Sequence, residues 1–130
     1  MLEPEVRAEA IRWLGFALGD LAGARAALEE HDLPPRLAAY QAQQAAEKAI
    51  KALLILTGQD FERTHDLEAL TLKLERLSNF AVGLRYPDAA TEVGLAEAES
   101  AVKDAALIVE SALGAFERLA RIDRAEITAQ

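Results

Sequence analysis

The chain has 130 residues, of which 52% are hydrophobic and 28% charged, a composition that suits one globular domain with a substantial core and excludes a disordered chain. Its formal net charge of −8 argues against unaided, tight nucleic-acid binding, because phosphate contacts need concentrated Lys and Arg, so RNA is expected only weakly or through a partner. There is no cysteine, which excludes a disulfide framework, a thiolate metal site and a cysteine nucleophile.

The opening stretch "MLEPEVRAEAIRW" carries charges throughout and holds no unbroken apolar run, so neither a secretory signal nor a membrane span is expected, and the cytoplasm is the expected compartment. From there Val6, Ala10, Trp13, Ala17, Leu21, Ala24 and Leu28 recur at three- and four-residue spacing, which predicts a first helix with Pro4 in its first turn. It ends near "HDLPPR", since Pro34 and Pro35 cannot continue it, and a second helix is expected from about Leu37 to Thr57, stopped by Gly58. So short a link implies that the two helices run antiparallel.

"GQDFERTHDL" breaks the pattern, and Thr64 is placed to cap a third helix with Asp66 and Glu68 in its first turn and a stripe of Leu67, Leu70, Leu74 and Leu77. After an irregular stretch around "LRYPDAATEVG", a fourth helix is marked by Leu95, Ala98, Val102, Ala105, Val109, Ala112 and Phe116. No segment alternates as a strand would. The expected fold is all-α, an antiparallel up-and-down four-helix bundle over residues 1–120, followed by a short charged tail over 121–130.

The second helix carries the chemistry-bearing residues. At about 100° per residue, Gln41, Gln44, Lys48 and Lys51 share one side with Gln43 and Glu47 beside them, while Ala42, Ala45, Ala46, Ala49, Leu53 and Leu56 fill the opposite arc. The stripe reads first as a solvated face steadied by a Glu47 to Lys51 pair, and after that as a partner surface or a site. The run of small residues suits close packing within the bundle as well as contact between subunits. In "ERTHDL", His65 stands at the predicted start of the third helix next to Asp66, where it serves as a structural hydrogen-bonder or, less often, in proton transfer. His31 is expected only to close the first helix, and neither histidine has the companions a metal site needs, so no metal is expected.

The motif "QQAAEKAIKALL" over residues 43–54, followed by "THDLEAL" over 64–70 and "RYP" over 85–87, with Ala10, Trp13 and the "GDL" of Gly19 to Leu21 ahead of them, resembles the HEPN domain. The resemblance runs from about Ala10 to Leu119. It implies a helical bundle, self-pairing into a homodimer, and a role as nucleotide-binding or partner subunit of a minimal nucleotidyltransferase in a two-component, toxin–antitoxin-like system. The residues it marks for nucleotide or partner binding are Gln44, Glu47, Lys48, Lys51, His65, Asp66 and Arg85, with His65 the one weak catalytic candidate and a nucleotide the only small ligand implied. Two alternatives come with it: a metal-independent ribonuclease toxin acting as a dimer, and a purely structural dimerisation module. Ribonuclease members carry an arginine and a histidine a few residues apart on a late helix; here the comparable pair, Arg25 and His31, lies at the end of the first helix, and the fourth helix has no histidine.

Overall fold

A computed structural model describes residues 2–58 and 93–129, and these are helical with no strand among them. Helix α1 spans Pro4–Glu29, α2 spans Pro35–Thr57, α3 spans Leu95–Ala120 and α4 spans Arg124–Thr128. The third predicted helix, with Thr64, His65, Asp66 and the leucines 67 to 77, lies outside the described residues. No described helix is long and apolar enough to cross a membrane.

Each boundary has a local cause. Pro4 opens α1 at a position where its missing N–H costs nothing, and Glu5 sits in the positive first turn. Helix α2 starts two residues earlier than the expected Leu37: Pro34 caps it in extended geometry and Pro35 takes its first turn, so the second proline begins the helix that both were expected to delay. At its other end the Thr57 hydroxyl donates to the Leu53 carbonyl at 2.7 Å, and Gly58 turns the chain with φ 63° and ψ −137°, a region open essentially to glycine alone.

Alanine sets the packing. Ala38, Ala39, Ala42, Ala45, Ala46, Ala49 and Ala52 of α2 are all fully buried, and such short side chains let the neighbouring helix axes come close. Helix α1 presents Ala10, Leu14, Ala17, Leu21 and Ala24 to them, and α3 adds Val102, Ala105, Ile108, Val109, Ala112 and Phe116. The larger side chains Phe116, Leu14, Leu21, Leu53 and Ile108 fill the space between the alanine layers. Pairing of Trp13 with Lys51 and of Asp20 with Lys48 shows that α1 and α2 are antiparallel. The start of α1, the end of α2 and the end of α3 meet around one cleft of about 790 Å³ lined by Leu2, Arg7, Leu56, Leu119, Ala120 and Arg121, so α2 and α3 point the same way.

Of the expected charged tail over 121–130, the described residues 121–129 fold back. Arg121 takes the left-handed conformation (φ 55°, ψ 37°); its N–H bonds the Glu117 carbonyl at 3.0 Å and that of Ile122 reaches Phe116 at 3.2 Å, the double bond pattern that closes a helix C-terminus. Ile122 is thereby driven into the core at 0% exposure. Asp123 then accepts from the Glu126 N–H at 2.8 Å to cap α4, whose Ile127 is buried at 1%, while Arg7 of α1 pairs with Glu126 and Arg124 with Glu110 of α3. Alternating charges hid two anchors, Ile122 and Ile127, spaced too widely for a helical stripe.

Two outcomes follow from this end of the chain. Arg121→Gly removes a left-handed side-chain penalty and should raise stability by about 1 kcal/mol, read as a higher Tm. Ile127→Ala should cost about 3 kcal/mol in urea unfolding, because it leaves a cavity beneath α4; a loss below about 0.5 kcal/mol would mean α4 is not docked.

Candidate functional site

The seam between α1 and α2 gathers the polar residues the sequence singled out. Along α1, Glu9, Trp13, Phe16 and Asp20 follow at four-, three- and four-residue steps and so line one edge of the helix. Opposite them on α2 stand Lys51 and Lys48. The Lys51 ammonium lies over the Trp13 ring at 3.8 Å from its centroid, and Phe16 meets the same indole edge-on at 5.8 Å. Lys48 donates to Asp20 at 2.6 Å, both side chains about 70% shielded from solvent (29% and 30% exposed), so water screens this pair less than it screens a fully exposed one.

Glu9 completes the network. It accepts from the Trp13 indole N–H at 3.1 Å and from Arg12 at 2.6 Å. These bonds hold its carboxyl below the usual value: the Trp13 hydrogen bond lowers it most, burial opposes, and the charges of Arg12 and Lys51 add to the lowering. Glu9 therefore fixes the indole that in turn carries Lys51. The sequence reading missed it, although its four-residue spacing from Trp13 is the signal that points to it.

Four of the expected site residues fall in the described chain, and the seam divides them. Lys48 and Lys51 turn toward α1; Glu47 faces solvent, and Gln44 is half-buried, donating to the Gln43 side-chain carbonyl at 2.9 Å. Two expectations are corrected here. Gln43, placed beside the polar stripe, is 1% exposed and belongs to the core, where its side-chain carbonyl accepts from Gln44. The expected Glu47 to Lys51 pair is absent among the described residues, since the indole face offers the ammonium a partly desolvated partner that a solvated carboxylate does not match. Gln41 is tucked against Gly23, where an added Cβ would lie 3.1 Å from its side-chain oxygen, and that oxygen is buried without a hydrogen-bond partner among the described residues. His65, Asp66 and Arg85 lie outside the described residues, so their convergence with Lys48 is not on view. Arg25 and His31 are both exposed, on α1 and in the turn after it.

The HEPN domain family model matches residues 10–76, over half of the chain, and the matched span takes in most of α1, all of α2 and every seam residue but Glu9. The protein belongs to the HEPN domain family. No curated protein and no solved structure matches it.

Chemically, the seam is a set of satisfied pairs that lock α2 against α1. A double-mutant cycle on Asp20→Ala and Lys48→Ala should return a coupling of about 1 kcal/mol. For Glu9, the folded carboxyl titrates below the unfolded one, so its contribution is complete above the ordinary carboxylate range and is lost as pH falls through the lower folded value. Thermal unfolding followed from about pH 5 downward should therefore drop less steeply in Glu9→Gln than in wild type.

Proposed function

We propose that this HEPN protein is a non-enzymatic subunit that works through protein contacts: it pairs with a second copy of itself and with a minimal nucleotidyltransferase, in a two-component, toxin–antitoxin-like system of the cytoplasm. The observation that carries the reading is the state of the α2 cations. Lys48 is already engaged by Asp20 and Lys51 by Trp13, so this stretch is built to hold two helices in register and to present what remains, Gln44 and Glu47, outward. The late helix α3 supports it, having no histidine for the arginine and histidine pair that ribonuclease members use. The antiparallel up-and-down four-helix bundle belongs to the same reading, with α1 and α2 as its described antiparallel pair.

Nucleotide enters this reading only with the partner. A phosphate reaching Lys48 has to displace Asp20 or approach from the side that Asp20 leaves open, and His65, Asp66 and Arg85 are the residues proposed to meet it there. The test is co-expression with a candidate nucleotidyltransferase, followed by chromatography and by calorimetry with ATP. Co-elution in near-equal amounts is expected, with ATP binding at least tenfold weaker for Lys48→Ala than for wild type in the paired state. Equal heats for the two proteins would remove the nucleotide part, and separate elution would remove the partner. Cleavage of RNA by the isolated chain, lost in His65→Ala, would overturn the non-enzymatic reading altogether.

A further inference from the structure

The outward edge of α2 is not uniformly polar. Leu37, Tyr40, Gln44, Glu47, Lys51 and Leu54 follow one another at alternating three- and four-residue steps, the spacing of a seam between two helices. The ends of this line are apolar and open to solvent: Leu37 is 39% exposed, Tyr40 43% and Leu54 46%. Its middle is polar. Among the described residues nothing covers this line, since α2 buries its opposite side against α1 and α3.

We infer that this line is the self-association face of the protein, used by two copies whose α2 helices lie antiparallel across a two-fold axis at the level of Ala45 and Ala46. The inference rests on the self-pairing proposed above and names its face and register. It comes from the order of the residues. About that axis Leu37 meets Leu54 of the other copy, Tyr40 meets Lys51, and Gln44 meets Glu47; the axis at Ala45 and Ala46 generates all three pairs at once and then repeats them on the other side. The same point is the middle of α2, Pro35–Thr57, so the register also overlaps the helices over nearly their whole length.

Each pair is chemically matched. Two leucines close each end. The Lys51 ammonium, already on one aromatic face at 3.8 Å, receives the Tyr40 ring of the other copy from its open side. Gln44 uses one amide N–H on Gln43 and keeps the other for the Glu47 carboxylate across the axis, giving that outward carboxylate a charge-assisted hydrogen bond. A parallel, in-register pairing does none of this: it stacks Lys51 on Lys51 and Glu47 on Glu47, where like charges repel. The fixed seam with α1 keeps Lys51 in place beforehand, which lowers the ordering cost of association.

The natural absence of cysteine makes the register directly readable. Leu37→Cys and Leu54→Cys are made separately, at exposed positions that the fold does not need. Sedimentation of the wild type and of both variants at micromolar concentration is followed by cross-linking with a short bismaleimide. The expected result is a dimer in every case, with covalent dimer formed when L37C and L54C are mixed and little formed by either alone, since like positions sit about 25 Å apart along antiparallel helices. Leu54→Glu should weaken dimerisation at least tenfold, and mixing it with Leu37→Lys should restore most of the loss. A dimer that does not give the mixed cross-link overturns this face and register while self-pairing stands. A wild-type chain that stays monomeric overturns both, and leaves the α2 edge to the nucleotidyltransferase.

Discussion

The close approach of α2 to α1 is the constraint on which the remaining features depend. Seven of the α2 residues that meet the core are alanines with no exposed surface, so α2 brings mostly methyl groups to this contact, and Leu14 and Leu21 of α1 fill the space between them. That closeness brings the carboxylate of Asp20 within 2.6 Å of the Lys48 ammonium and sets the Trp13 ring under Lys51. It also presses Gln41 onto Gly23, where a side chain on the glycine would crowd the amide. A core of alanine buries little apolar area per residue, so such a bundle gains from pinning its edges with polar and aromatic contacts and from recruiting Phe116, Ile122 and Ile127 to fill its ends.

The pinned edge changes what the polar stripe means. A lysine held in a shielded ion pair and another laid on an indole are poor open clamps for a phosphate, because a ligand must first break what already satisfies them. They are good anchors for a rigid surface. The stripe thus divides by depth: Lys48 and Gln43 work inward, in the packing of the domain, and Glu47 with its apolar flanks works outward. The HEPN family match spans both Lys48 and Lys51, so the divided stripe lies inside the part of the chain that carries the family resemblance.

The C-terminal end shows the same logic in miniature. Charged residues surround Ile122 and Ile127, yet the closing turn at Arg121 points the first isoleucine inward, and the Asp123 cap sets the second on α1. The pairs Arg7 with Glu126 and Arg124 with Glu110 then hold a five-residue helix too short to persist by itself. An arginine at a left-handed position, where glycine is the cheaper residue, is the conformational cost of that fold-back.

Periodicity and proline placement by themselves determined the all-helical class and the extents of α1, α2 and α3 to within a few residues, because a helix boundary is written in nearby residues: a proline that fits a first turn, a glycine that leaves the last. The ordered motifs "QQAAEKAIKALL" and "THDLEAL" determined the family. Only the tertiary structure decided which side of each polar residue counts. Gln43 differs from Gln44 by one step around the helix, and whether that step enters the core is decided by packing around α2, which no local pattern measures. Lys51 takes Trp13 over Glu47 because a residue nearly forty positions away is nearer and drier than one a turn away. Glu9, Asp20 and Ile127 became legible for the same reason: their partners are distant in the chain or hidden by charged neighbours, and no local spacing rule measures a distance that packing alone creates.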